Sequence, residues 1–317
     1  MLRLHANSET LAALPNVLQA AARAPGNRSR FLAAGLIDQS GLLVADWQSA
    51  LARLPVLRKS AVRSQPGDFF VDALDVVYRG QTSGSEGQPL VYFAGDRWNQ
   101  QRLQARKRLF EWWNIPDATP ILNIASRLGP LRPQDASLVG PIDVELVTQL
   151  QQFAQAQPIV LRGYPSRLCA VAAACGENSI SVVAVIATGE CLFEFQRSWL
   201  EKIFQAPVIN EYGAQESGIS GFSCPEAGRL HLDTDRCLYE IINGELITTD
   251  LWNTTMPMVR YAVGDRLECF EDDCPCGRSG LTVKVLGRQT EVVRVLRILC
   301  KGSRIQIEQR RDPNGTT

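Results

Sequence analysis

Thr82-Ser83-Gly84-Ser85-Glu86-Gly87-Gln88-Pro89 is a hydroxyl-rich loop with two glycines. Apolar segments flank it, Val76-Val77-Tyr78 before and Leu90-Val91-Tyr92-Phe93 after, so it reads as a loop between two strands. Gly84 and Gly87 take φ > 0 at no steric cost, which lets successive backbone N–H groups turn inward. Inward N–H groups make an anion nest, and the Thr and Ser hydroxyls add donors for phosphate oxygens. Gly and Ser are equally at home in a plain hairpin turn, and the stretch alone leaves both readings open. A P-loop of the GxxxxGK[ST] type is excluded, because no Lys follows Gly87.

The chain around this loop has 317 residues, 45% hydrophobic and 21% charged, as in a globular protein of one large or two medium domains. A formal net charge of zero leaves no global field to draw nucleic acid or an anionic membrane. No apolar run approaches the roughly 18 residues of a membrane span. Met1-Leu2-Arg3-Leu4-His5 leads into a polar segment, with no signal peptide visible. Nine cysteines is an odd count with irregular spacing, which reads as reduced thiols in a cytoplasm and not as a disulfide framework.

Residues 7–23 carry a helical stripe of Leu11, Leu14, Leu18 and Ala21, and Pro25-Gly26-Asn27 is expected to break it. Short helices follow around 28–35 and 45–54, a front end without obvious chemistry. Beyond the loop, a helix over 96–113 is followed by alternating strands and helices. The strands are expected at 121–124, 158–161, 181–186 and 208–209, and the helices at 142–155, 166–175 and 192–204. This rhythm predicts an α/β domain with a largely parallel sheet, its functional loops at the strand C-terminal ends: 162–166, 188–190 and 211–217. From about 219 short strands take over (238–242, 245–249 and 258–261), a small β-rich subdomain. The expected division is 1–218, 219–288 and a short basic tail, 289–317.

Four further segments complete the reading. They are Glu211-Tyr212-Gly213-Ala214-Gln215-Glu216, then Gly244 to Leu251, then Met256-Pro257-Met258-Val259-Arg260-Tyr261 with Gly264-Asp265, and last Gly287-Arg288. In this order, with the loop at 82–89, they resemble the adenylate-forming superfamily. The similarity is greatest to the phenylacetate–CoA ligase-like branch, which includes proteins of capsular polysaccharide operons. Gly163-Tyr164-Pro165-Ser166 and Thr188-Gly189-Glu190 also look like that branch.

The resemblance implies a large α/β domain with mixed and parallel sheets flanked by helices. It implies that Thr82, Ser83, Gly84, Ser85 and Gly87 hold the phosphates of ATP, and that Glu216 helps hold Mg²⁺, a hard cation that prefers oxygen ligands. Glu211, Tyr212 and Gly213 would border the AMP and acyl pocket, Asp265 would accept from the ribose hydroxyls, and Arg288 would sit at a hinge. The reaction implied is attack of a small-molecule carboxylate on the α-phosphorus of ATP, where positioning and charge neutralisation supply most of the catalysis.

Cys224 and His231, with Cys274 and Cys276 further on, offer three thiolates and an imidazole, the donor set of a structural Zn²⁺ site. Similar sets occur in the branch it resembles. Unrelated placement, or a redox pair at 274 and 276, is the other reading of the same residues.

The departures bear on activity. Gln88 stands where the family loop often has Lys, Gln215 where Thr is usual, and Thr290 near a hinge position that is usually acidic. Only 29 residues follow Arg288, where the family continues for roughly a hundred, a small domain. Val292 to Leu299 is expected to form a strand, and Arg310 to Gly315 a disordered tail. Two functions follow: adenylation of an acid, impaired unless a partner chain supplies the lid domain, or a non-catalytic nucleotide-binding or scaffold role in polysaccharide biosynthesis. The front helix could equally pack on its own domain or against a second copy in a homodimer.

Overall fold

The computed structural model describes residues 4–5, 7–71, 75–82, 89–125, 132–176, 180–288, 297–301 and 304–308. After the short strand β1 (Leu4–His5), helix α1 (Ser8–Ala21) begins at Asn7, whose side chain accepts from the Thr10 backbone at 2.7 Å. Its buried stripe is Thr10, Leu14, Leu18 and Ala21, and Leu11 is 38% exposed. The expected stripe was therefore off by one residue at its start: a repeat near 3.6 running back from Leu18 and Leu14 reaches position 10. Thr10 is tolerated there because its hydroxyl donates to the Thr234 carbonyl. Pro25 does not only break α1; it opens α2 (Pro25–Ala33), since Pro at a first helical position forfeits no intrahelical bond. Helix α3 (Trp47–Arg53) completes a helical cap whose Leu14, Phe31 and Leu51 pack with Leu238 and Val259.

Strand β2 (Leu57–Arg58) runs directly into α4 (Lys59–Ser64). Strands β3 (Tyr78–Gln81) and β4 (Val91–Ala94) form an antiparallel hairpin, Gln81 opposite Val91, so residues 82–90 connect two strands as read. Of that loop, Ser83, Gly84, Ser85 and Gly87 lie outside the described residues.

The α/β rhythm is present. Helix α5 (Asp96–Trp112) leads to β5 (Ile121–Ala125), and β6 (Ala136–Val139) leads to α6 (Val144–Ala156). Next come β7 (Val160–Gly163), α7 (Pro165–Cys175), β8 (Ala184–Thr188), α8 (Glu194–Phe204) and β9 (Val208–Ala214). Strands β6, β5, β7, β8 and β9 are parallel neighbours in that order. Leu122, Leu161, Val185 and Val208 pack under α6 to α8, and Val160, Ile186 and Ile209 pack under Ala105, Leu109 and Phe110 of α5. Burial on both faces is why these strands read as apolar runs. The unexpected β6 is half-buried at the sheet edge, so its pattern is weak.

Beyond β9 the sheet turns antiparallel. Strands β10 (Ile219–Ser223), β11 (Leu230–Leu232), β12 (Cys237–Ile242), β13 (Glu245–Asp250), β14 (Tyr261–Cys269) and β15 (Thr282–Arg288) extend it. Its 13 strands are continuous, and the expected boundary at 218/219 falls inside it, between β9 and β10. The strand expected over 258–261 begins only at Tyr261; Met256, Met258 and Val259 are buried apolar residues in a loop, which imitates a strand in sequence. Strand β16 (Arg297–Lys301) pairs with β17 (Arg304–Glu308); of the strand expected over 292–299, residues 297–299 lie in β16 and 292–296 lie outside the described residues. The tail from 309 onward lies outside the described residues. Among the described residues no helix is long and apolar enough to cross a membrane.

Candidate functional site

The loops expected at the strand C-terminal ends do meet. Ser166, in the first turn of α7, donates to Glu190 from its backbone N at 3.1 Å and from its hydroxyl at 3.0 Å. Gly189, at φ 77°, lies against the Tyr164 ring, where a Cβ would come within 2.6 Å of a ring carbon. Arg162 of β7 pairs with Glu211 of β9 through Nε at 2.8 Å and Nη2 at 2.7 Å.

Glu216, in the turn after β9, is 6% exposed, and its Oε1 pairs with Lys59 Nζ at 3.2 Å. The main chain explains how so remote a lysine arrives. Strand β2 adds in parallel to β14, Leu57 opposite Tyr261, and α4 starts one residue later. The Tyr261 phenol adjoins the same carboxylate; burial first, then the charge of Glu216, pushes it far above its ordinary value of 10.

Asp265 of β14 is 6% exposed. The Tyr212 hydroxyl donates to its Oδ2 at 2.6 Å, and Arg288 Nε pairs with its Oδ1 at 3.1 Å. Asp265 and Arg288 face each other in the β14–β15 register, so that contact follows from strand pairing. Burial raises the Asp265 carboxyl above 3.8, against the pull of Arg288 and of the Tyr212 hydrogen bond. Burial and Asp265 together hold the Tyr212 phenol well above 10.

Gln215, beside Glu216, accepts from the hydroxyls of Tyr92 at 2.8 Å and Tyr78 at 3.3 Å. The hairpin carrying the 82–89 loop is thus tied to the Glu216 turn. Thr82 Oγ1 accepts from the Leu90 backbone at 2.9 Å, at the mouth of that loop. Gly213 is exposed on β9, three residues before Glu216.

Sequence reasoning missed Lys59, Tyr78, Tyr92, Tyr261 and Arg162. For Lys59 a signal existed. Helix α4 opens on a lysine with no acid in its first turn, against the preference of a helix N-terminus for negative charge. A cation there implies an anion from elsewhere in the fold. The front end, expected to be without chemistry, supplies that cation.

A second cluster gathers the four expected metal ligands. Cys224 directly follows β10, His231 lies on β11, and Cys274 and Cys276 lie in the β14–β15 loop; their ligand atoms all fall within 4.8 Å of one another. Cys224 and Cys274 sulfurs are 3.6 Å apart, and Cys276 Sγ is 3.4 Å from His231 Nε2. A tetrahedral Zn²⁺ with bonds of about 2.3 Å to sulfur and about 2.0 Å to nitrogen has ligand–ligand edges of about 3.6–3.8 Å. The donor set and spacing fit that ion. Burial pushes the Cys274 thiol up to about 11, which an adjacent cation would reverse. The edge of Trp112, at the end of α5, packs on His231 with ring centroids 5.5 Å apart.

No protein-family model matches the chain. Solved structures do. It superimposes on 2-hydroxyisobutyryl-CoA ligase in complex with 2-HIB-AMP and CoA, in an open conformation, with a TM-score of 0.71 at 19% identity, over 89% of this chain and 69% of that one. The thioesterification state of the same ligase gives 0.72 at 20% identity, over 89% and 68%. The fold is that of the adenylate-forming enzymes. Among sequences, Protein CapK of Staphylococcus aureus is 27% identical over 266 residues, 75% of this chain and 59% of that protein. Indoleacetate–lysine synthetase of Pseudomonas savastanoi is 30% identical over 139 residues, 41% of this chain and 35% of that protein. The chain thus spans less than two-thirds of either relative. Its fold, and its similarity to these two relatives, agree with the resemblance to the AMP-binding superfamily and its capsule branch that the motif order carries.

Proposed function

We propose that this chain binds ATP with Mg²⁺ and activates a carboxylic acid as an acyl-adenylate. The observation that carries the reading is the convergence of Glu216 and Asp265, from separate strands, in one buried polar site with Lys59, Tyr212 and Arg288. Asp265 makes one bond through each oxygen, and each keeps a lone pair for a ribose hydroxyl. Glu216 is a hard oxygen donor suited to Mg²⁺, which when bound neutralises phosphate charge. In the reaction an oxygen of the acid bonds to the α-phosphorus as the bond from that phosphorus to the bridging oxygen breaks. The electron pair leaves with pyrophosphate. Lys59 pairs with Glu216 and would be free to offset the charge that grows on the phosphoryl oxygens when Mg²⁺ takes that carboxylate. Thr82 and the loop it opens would hold the leaving phosphates.

The Cys224–His231–Cys274–Cys276 cluster would hold a structural Zn²⁺ with all four positions filled by protein. It would tie the β14–β15 loop to β10 and β11, and so brace the strands carrying Asp265 and Arg288.

One observation favours a second reading, a nucleotide-binding scaffold in polysaccharide biosynthesis. Gln215 commits its oxygen to two tyrosines instead of offering a hydroxyl. Pyrophosphate release from ATP and an acid panel separates the two. An enzyme releases pyrophosphate with some acid and loses the activity in Glu216→Ala; a scaffold binds nucleotide and releases none.

A further inference from the structure

Helix α4 carries a second cation beyond Lys59. Arg63 follows Lys59 by four residues, so the two are neighbours on one face, about 5–6 Å apart between Cβ atoms. Val62, between them in sequence, is fully buried. It packs in one cluster with Leu90 and Tyr92, at the base of the 82–89 loop, and with Tyr261 of β14. Helix α4 is therefore wedged between the hairpin that bears the loop and the strand that adjoins Glu216.

The cations of this segment differ in what meets them. Arg58 has Glu245, and Lys59 has Glu216. Arg63 has no ion pair among the described residues, and its Nε is buried without a hydrogen-bond partner. A buried donor left unmet on a cation is costly.

A second donor beside it is also unmet. Tyr261 is 0% exposed, and its hydroxyl adjoins Glu216 without an aligned hydrogen bond. Burial and then the Glu216 charge hold that phenol far above 10, while the charges of Arg63 and Arg288 pull the other way. Arg63 thus shares one electrostatic neighbourhood with Tyr261 and Glu216. Donors from Lys59, Arg63 and Tyr261 gather beside a single carboxylate, and two of the three have no acceptor.

The chemistry of the missing acceptor follows from the loop. Thr82 to Pro89 holds no Lys or Arg and one acid, Glu86. Its hydroxyls and backbone can bond phosphate oxygens without neutralising them. Mg²⁺ on Glu216 would offset only part of the charge of a triphosphate. A guanidinium suits the rest, since its planar fork bonds two phosphate oxygens at once.

We propose that Arg63 receives the β- and γ-phosphates of ATP from α4 and holds the pyrophosphate as it leaves. This rests on the adenylation reading for the nucleotide itself. The front end then supplies, within this one chain, a charge that the loop lacks. AMP, with no β-phosphate, gains nothing from Arg63.

The test is calorimetric titration of the intact chain with MgATP, with inorganic pyrophosphate plus Mg²⁺, and with AMP, in the parent, Arg63→Met and Arg63→Lys. Arg63→Met keeps the apolar stem and drops the donors, so the urea midpoint should not fall: no partner is lost. MgATP and pyrophosphate should each weaken about tenfold or more, the loss of one charge-assisted contact, with AMP within about twofold of the parent. Arg63→Lys should restore part of the loss, and it carries the comparison if Arg63→Met does not fold. Unchanged MgATP affinity, or AMP weakened as much as MgATP, would overturn the proposal, the second result marking a structural role. Pyrophosphate bound by the parent and lost in Arg63→Met, with no AMP bound by either, would overturn the adenylation reading and leave the anion site standing. Binding of none of the three by the parent would overturn both.

Discussion

Arg260 and Glu240 form an ion pair with side chains 5% and 1% exposed, and the pair joins the front helices to the sheet that bears the site. Arg260 Nε and Nη2 bind the Glu240 carboxylate at 2.8–3.1 Å. Its Nη1 donates to the carbonyls of Leu51, Ala52 and Leu54 at the end of α3, of which Leu51 also accepts from the Leu54 backbone N–H. The Arg260 carbonyl also accepts from Leu57 N at 2.7 Å, the bond that seats β2 on β14 and so delivers Lys59. Arg260→Met leaves a buried carboxylate alone, a loss of about 3–5 kcal/mol. The Ala52 and Leu54 carbonyls lose their Arg260 donor for about 1 kcal/mol more. Out of a total stability of about 5–15 kcal/mol, a loss near 5 is severe. With a slope of about 3 kcal/mol per molar, the urea midpoint followed by tryptophan fluorescence should fall by about 1.5 M. Glu240→Leu with Arg260→Met removes both charges and should recover about 3 kcal/mol of that loss.

The pH dependence of the single variant follows. Burial already raises Glu240 above 4.5 with Arg260 present, and removing the guanidinium raises it further. A carboxyl with a raised folded-state pKa contributes stability that is fully present below its unfolded value and lost as pH rises through the folded value. The deficit of Arg260→Met should therefore shrink as the pH is lowered from neutral toward 4.5. A single-variant loss below about 1 kcal/mol, or a double variant no more stable than the single one, would refute the reasoning.

Lys59→Met should fold with a loss of about 1–3 kcal/mol, since Glu216 keeps some solvent and Tyr261, and should slow pyrophosphate release about a hundredfold or more. AMP affinity should fall on acidification with a midpoint above 3.8, because burial raises the Asp265 carboxyl and its protonated form accepts less well; Asp265→Asn should bind weakly and show no such midpoint. The purified protein should contain stoichiometric zinc by elemental analysis. His231→Ala should lose the metal and melt lower by roughly 5 °C or more, as removal of a structural ion requires.

The parallel half of the fold was legible because its strands are buried on both faces and separated by helices of ordinary length. Asp265 and Glu216 were singled out through motif order and both are buried, and the metal cluster was legible through residue types too rare to gather idly, two histidines and nine cysteines in the whole chain. What escaped was long-range. Lys59 reaches Glu216 only because a two-residue strand adds to β14, a pairing too short to leave a periodic trace. The run at 258–261 read as a strand because its burial is complete, although Arg260 takes φ +50° there.

The most direct test of the central claim is calorimetric titration of the purified chain with ATP plus Mg²⁺, and with AMP, alongside Glu216→Ala and Asp265→Ala. Binding at about micromolar concentration in the parent, lost in both variants, is the predicted result, corresponding to roughly 8 kcal/mol of nucleotide recognition. Absence of binding at millimolar nucleotide, or affinity unchanged in both variants, would contradict the assignment of this site to adenylate chemistry.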